Sequence, residues 1–247
     1  MQDNKILIIP DVHGREFWKE AKARVDECSR VIFLGDYLDP YEFEHISIAD
    51  AFSNFQEIIE FKLAHPDKVV LLLGNHDLPY YSSDYNRLST RWCRYCESFA
   101  DVFAATFAKH KNLFKLAHAE AGVLFTHAGV RSDWYAMVGN PDADTLAEIV
   151  DNINNVMTTS QVDLLYQVTY YRGGPDSAGS CVWADVLEHD SADTLSKRFY
   201  QIFGHTLQAG YNNTGGIEFA QPVITETFAM IDNAKCYDLD NIIPGQM

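Results

Sequence analysis

Apolar runs recur early in the chain, and each ends on a turn-forming residue. Lys5-Ile6-Leu7-Ile8-Ile9 stops at Pro10, Arg30-Val31-Ile32-Phe33-Leu34 at Gly35, and Lys68 to Leu73 at Gly74. Short unbroken runs rich in branched side chains predict central strands covered on both faces. Between them, Phe17 to Cys28 interleaves apolar and charged residues as a helix does. Over about 47–64, Ile48, Ala51, Phe52, Phe55, Ile58, Ile59 and Leu63 share one helical face, and His65-Pro66-Asp67 closes it. Strand, connection, helix, strand predicts parallel crossovers and an α/β sheet.

The pattern loosens afterwards. Arg87 to Lys109 reads as helical and aromatic, Leu113 to His118 and Gly122 to Thr126 as strands, and Gln201-Ile202-Phe203 and Phe228 to Ile231 as late strands, with Lys235 to Leu239 closing the series. Residues 140–200 predict two helices around a loop, Arg172-Gly173-Gly174-Pro175. With no repeat or linker in view, the expectation is one domain, 1–247, with a cap or insertion around 132–200.

The segments just past the strands are polar. Asp11-Val12-His13-Gly14, Gly35-Asp36-Tyr37-Leu38-Asp39, Gly74-Asn75-His76-Asp77, His127-Ala128-Gly129 and Gly204-His205-Thr206 all stand at carboxyl ends. In a parallel sheet those ends share an edge, where ligands bind. Asp11 and His13, two apart on an extended segment, can hold one ion. Asp36 can bridge two, Asn75 offers an amide oxygen, and His127 and His205 offer imidazole nitrogens. Mixed nitrogen and oxygen donors suit Mn, Fe or Zn, with Mn preferred here. Any one of these residues alone would read as a helix cap or a structural histidine; the ordered set carries the reading.

Charge sharpens it. A formal net charge of -16, from 19 basic and 35 acidic residues, opposes nucleic-acid polymers and anionic membranes. A phosphorylated substrate would need a positive field that the side chains lack and bound ions supply. No run approaches the roughly 20 apolar residues of a membrane span, and the start lacks the order of a secretory signal. Five scattered cysteines fit a reducing compartment, so the expected location is cytoplasmic. Cys93-x-x-Cys96 has no second pair or nearby histidines and reads as structural.

In these five ordered motifs the chain resembles the calcineurin-like metallophosphoesterase superfamily, whose signature runs D-x-H, G-D-x-x-D, G-N-H-D/E, H, then G-H. The resemblance implies a four-layer α-β-β-α sandwich of two mixed sheets. It also implies one ion on Asp11, His13 and Asp36, a second on Asp36, Asn75, His127 and His205, and His76 with Asp39 as the catalytic pair. Leu207 replaces the further histidine of a G-H-x-H ending, and Val182-Trp183-Ala184-Asp185 is similar to an L-W-S-D segment. Both resemble the phosphoprotein phosphatase branch. That branch continues G-D-x-x-D with Arg-Gly, whereas Pro40-Tyr41 stands here, and Asp77 replaces its glutamate.

The function implied is a dinuclear metal-dependent phosphomonoesterase, similar to Ser/Thr protein phosphatases. A nucleotide or dinucleoside polyphosphate hydrolase is the rival, and a non-catalytic scaffold the reading from another class. The expected partner is a phosphorylated small molecule or phosphoprotein. Arg15, Arg131 and Arg172 are the candidates for gripping phosphate, with Arg172 preferred because Arg-Gly-Gly can sit on a mobile lid. His45, His65, His110, His118 and His189 fall outside the motifs and read as structural or surface residues. Tyr80, Tyr81, Tyr85 and Trp92 read as core or cap packing.

Overall fold

The computed structural model describes residues 5–82, 90–189, 193–207, 209–211 and 217–243. The chain divides into two compact units, Met1–Lys115 with Ala234–Asn241, and Leu116–Asn233 with Ile242–Met247. Each holds one mixed sheet flanked by helices, so the expected pair of mixed sheets is present. Among the described residues no helix is long and apolar enough to cross a membrane.

In the first unit β1 (Lys5–Ile9), β2 (Cys28–Phe33), β3 (Val69–Leu72) and β4 (Phe114–Lys115) run parallel, in that spatial order. The register sets Ile9 opposite Phe33 and Phe33 opposite Leu71. Leu7, Ile8, Ile9, Val31, Ile32, Phe33 and Leu71 are fully buried, which is why these strands are unbroken apolar runs. The predicted first helix shortens to α1 (Lys19–Arg24). The second matches its pattern as α2 (Ile48–Ala64), capped by Ser47 Oγ accepting from Asp50 N and burying Ala51, Phe55, Ile58 and Ile59. Buried Asn54 on α2 accepts from Trp18 Nε1 at 2.8 Å and donates to Arg15 O at 3.1 Å, fastening the helix to the segment that leaves β1. After the turn α3 (Leu78–Tyr81), the reading of one helix from Arg87 to Lys109 is corrected. Residues 90–99 carry two 3₁₀ turns, Thr90–Trp92 and Glu97–Phe99, and only α4 (Ala100–Lys109) is α-helical. Residues 87–89 and Tyr85 lie outside the described residues.

The predicted strand from Leu113 to His118 is divided at Leu116. Its first part is β4, and its second, β5 (Ala117–Glu120), belongs to the second sheet. There β6 (Val123–Thr126) pairs antiparallel with β5 and parallel with β7 (Tyr200–Phe203). Among the described residues the α-helices of this unit are α5 (Ser132–Tyr135), α6 (Leu146–Asn155) and α7 (Thr194–Arg198). The capping box of Thr145 and Glu148 starts α6, and Asn154 Oδ1 accepts from Leu116 N and Ala117 N. After α6 the chain proceeds through 3₁₀ turns, including Tyr170–Arg172 and Val186–Glu188. A small hairpin, β8 (Ala209–Tyr211) with β9 (Ile217–Phe219), comes next. Then β10 (Val223–Ile224) and β11 (Phe228–Met230) complete the second sheet, β11 parallel to β7. Last, β12 (Tyr237–Asp238) returns antiparallel to β1.

Candidate metal and catalytic centre

Because β1, β2 and β3 are parallel, the segments leaving them emerge at one edge of the first sheet. Asp11, His13 and Asp36 converge there, all buried, with their ligand atoms within 4.8 Å of one another. The loops interlock through the backbone, Val12 N and His13 N both donating to Asp36 O at 3.1 and 2.7 Å. His13 Nδ1 donates to Leu38 O at 2.9 Å, which sets the tautomer and leaves the Nε2 lone pair 3.4 Å from Asp36 Oδ2. Burial, followed by the Arg94 charge, holds the His13 pKa well below its ordinary value, so the ring is neutral as a ligand must be. A carboxylate pair and a neutral imidazole in this arrangement fit a divalent ion.

Left-handed backbone recurs at several of the candidate residues. His13 (φ 47°), Asp36 (φ 54°), Asp39 (φ 56°) and, in the second unit, His205 (φ 69°) are non-glycine residues in the left-handed region. Each costs on the order of 1–3 kcal/mol and persists only where its surroundings over-determine it. Asp77 supplies much of that determination. Its fully buried carboxylate accepts from Asp36 N (2.7 Å), Gly74 N (2.8 Å) and Tyr37 N (3.0 Å), tying the exit of β2 to that of β3. Gly74 is required here, since a Cβ would lie 2.1 Å from Asp36 Oδ1. Asp77→Ala leaves three buried N–H groups without their acceptor, and unfolding free energy is expected to fall by about 3 kcal/mol or more. Asp77→Asn, which keeps an acceptor oxygen, loses less. Denaturant titration of both variants checks the order.

Beside this cluster, His76 Nδ1 donates to Asp39 Oδ2 at 2.9 Å, and the His76 and His13 rings meet edge to face with centroids 5.1 Å apart. His76 N donates to Asp36 Oδ1 at 2.9 Å, so acid candidate and ligand candidate are built on one another. Tyr80 Oη donates to Asp39 Oδ1 at 2.6 Å. Burial pushes the Asp39 carboxyl up to about 7, with the Tyr80 hydrogen bond and the Arg94 charge opposing. Tyr80 and Tyr81 are core residues, as expected, yet Tyr80 also orients Asp39.

Residues 93–96 close over this edge, and sequence reasoning, which read Cys93 and Cys96 as structural, missed Arg94 and Tyr95 between them. Cys93 Sγ donates to Asn75 O at 3.3 Å, Cys96 N donates to Tyr80 Oη at 2.7 Å, and Tyr95 stacks on Tyr80 at 4.9 Å. Burial raises the Cys93 pKa well above its ordinary value, keeping the sulfur a neutral thiol. Between the cysteines, Arg94 donates through Nε (3.1 Å) and Nη2 (2.9 Å) to Asp39 O and lies 3.6 Å over the Tyr41 ring. No spacing signal marks Arg94; only the fold brings it to Asp39.

In the second unit the parallel pair β6 and β7 delivers His127 and His205. Gly204 N donates to His127 O at 2.8 Å, and His127 Nε2 lies 3.1 Å from His205 Nδ1, two buried ring nitrogens converging as ligands of one ion would. The segment 182–185 supports them. Trp183 meets the His205 ring edge to face at 5.8 Å, Cys181 O accepts from Ala128 N at 2.9 Å, and Asp185 pairs with Arg172 at 2.7 Å. Arg172 also donates through Nη2 to His205 O and Thr206 Oγ1. Arg131 is held by Asp133 and Glu188 O, and Arg15 by Glu44 at 2.7 Å and Asp11 O. All three predicted arginines thus have partners within the protein.

Residues able to hold a metal ion, set at parallel strand ends of mixed sheets, suit a metal-dependent phosphatase. The chain belongs to the calcineurin-like phosphoesterase family, whose sequence pattern matches residues 4–209. The sequence matches no curated protein. Among solved structures, it is similar to a mutant cold-active protein tyrosine phosphatase, with 12% identity over 93% of this chain and 71% of that one and a TM-score of 0.53. It is also similar to a protein serine/threonine phosphatase from Saccharomyces cerevisiae, with 18% identity, 94% and 68% coverage and a TM-score of 0.46. A putative diadenosine tetraphosphatase aligns with 13% identity, 93% and 83% coverage and a TM-score of 0.40. At 12% identity the likeness to the tyrosine phosphatase is one of fold.

Proposed function

We propose that this phosphoester hydrolase is a phosphomonoesterase acting in the manner of Ser/Thr protein phosphatases, with two divalent ions, Mn preferred, held by Asp11, His13, Asp36, Asn75, His127 and His205. The observation that carries the reading is the buried His76–Asp39 pair set against the Asp11, His13 and Asp36 cluster. When bound, the ions supply positive charge to phosphoryl oxygens and acidify a water at neutral pH. The chain's own residues supply the proton. His76, with Nδ1 committed to Asp39, holds a proton at Nε2 for the departing oxygen. Asp39 fixes the tautomer and stabilises the imidazolium, and Tyr80 fixes Asp39. Residues 132–200 are proposed to shape specificity as a cap.

The test is hydrolysis of an aryl phosphomonoester and an aryl phosphodiester by chelator-stripped protein, with and without added manganese. Manganese-dependent turnover that favours the monoester is expected. Preference for the diester, or rates indifferent to metal, would reject the proposal. Release of phosphate from a phosphopeptide, against nucleoside diphosphate from a dinucleoside tetraphosphate, then separates protein phosphatase from polyphosphate hydrolase.

A further inference from the structure

We propose that Arg94, braced on Tyr41, is the guanidinium that grips the substrate phosphate. The inference rests on the phosphomonoesterase reading and names a residue that no motif assigns.

The other arginines are already engaged. Arg15, Arg131 and Arg172 each pair with a carboxylate, Glu44, Asp133 and Asp185 respectively. A guanidinium neutralised in this way has less to give an incoming dianion. Arg94 pairs with no carboxylate among the described residues. Its Nε and Nη2 both aim at one carbonyl, Asp39 O, and Nη1 has no protein acceptor among the described residues. The side chain is half-buried, so ligand can reach it. A positive group held at a buried, acidic edge with donor capacity to spare is what an oxyanion site requires.

Its placement is equally specific. Nη2 lies 3.2 and 3.4 Å from the two nitrogens of His13, while Nε and Nη2 rest on the backbone of the residue that orients His76. Arg94 therefore stands between the ligand cluster and the proton donor, the two groups a phosphoryl oxygen and its leaving oxygen must reach. Tyr41 makes that position rigid. Its ring receives the guanidinium face at 3.6 Å and meets the His13 ring edge to face at 4.9 Å. Pro40 cannot supply a guanidinium, but the next residue supplies the platform on which one from residues 90–99 is stacked. Cys93 and Tyr95, bonded and stacked on Asn75 and Tyr80, pin the chain on either side.

The test reads phosphate affinity directly, by calorimetry with inorganic phosphate on manganese-loaded protein and by its inhibition constant as a product. Arg94→Ala is expected to weaken phosphate about 10- to 100-fold, the loss of a charge-assisted pair, with KM for an aryl phosphate rising in step. Tyr41→Ala should move the same way by about 5-fold, through loss of the stack. Arg91→Ala, an exposed arginine near by, should leave phosphate affinity unchanged. Metal content and melting temperature are monitored in parallel, and Arg94→Gln, which can still donate to Asp39 O, replaces the alanine variant if that variant loses either. Phosphate affinity within about twofold of wild type in a folded, metal-loaded Arg94 variant would overturn the proposal. Because binding is measured whether or not the protein turns over, wild type that binds phosphate but cleaves no monoester would remove the functional reading alone.

Discussion

Asp36→Asn is expected to remove bound metal and activity together while leaving the fold in place. The substitution is isosteric, and Asp36 N still donates to Asp77 and Asp36 O still accepts from Val12 and His13. What changes is one negative charge, on a residue only 1% exposed, whose Oδ1 accepts from His76 N and whose Oδ2 faces His13 Nε2 at 3.4 Å. Burial raises the Asp36 pKa, and the His76 and Arg94 charges pull it back. A cation bound there would add the larger compensating charge, making carboxylate and ion mutually dependent. Substituting the partners of metal ligands already costs about 10- to 100-fold, so loss of a carboxylate proposed to hold the ion directly should exceed about 100-fold in rate. Elemental analysis should find metal at the level of chelator-stripped protein, and circular dichroism should superpose on wild type. Wild-type metal content in the variant would remove Asp36 from the ligand set.

The expected loss is large because the site is assembled from loops that are strained and cross-braced, and this explains what could be read from sequence. Strand ends were legible, since a doubly covered strand must be an apolar run and must stop where the chain meets polar work; Ile9, Leu34 and Leu73 mark such stops. The ligand motifs lie immediately after them, so sequence order and spatial order coincide. Asp77 was legible as part of its motif, but that its carboxylate would hold three amides from two loops was not. Leu116 could not be read as a break, because periodicity does not say which sheet a strand joins. Residues 90–99 misled for a further reason: aromatic and charged residues at mixed spacing fit a helix, whereas Cys93, Arg94 and Tyr95 spend their side chains on Asn75, Asp39 and Tyr80. Such contacts exist only once the fold is made. The same holds for the arginines, where sequence offered Arg15, Arg131 and Arg172, the last preferred, and tertiary pairing engaged all three with carboxylates.

His76→Ala should separate proton transfer from metal binding. The side chain contributes no atom to the Asp11, His13 and Asp36 cluster, and its backbone N–H, which donates to Asp36 Oδ1, survives the substitution. Metal content is therefore expected to match wild type, in contrast to Asp36→Asn. The rate should fall about 10²- to 10⁴-fold, the worth of a positioned general acid, with KM little changed. The loss should shrink as the leaving group becomes more acidic, because a nitrophenolate leaves without a proton and an alkoxide does not. The pH profile provides a second readout. Asp39, pushed up to about 7 by burial, is ionised above that pH and protonated below it, so wild-type activity should decline as pH falls through the neutral range. That decline belongs to the coupled pair, since Asp39 acts through His76, and it should flatten in His76→Ala. Equal losses on activated and unactivated esters, with the acid limb intact, would show that His76 is not the proton donor.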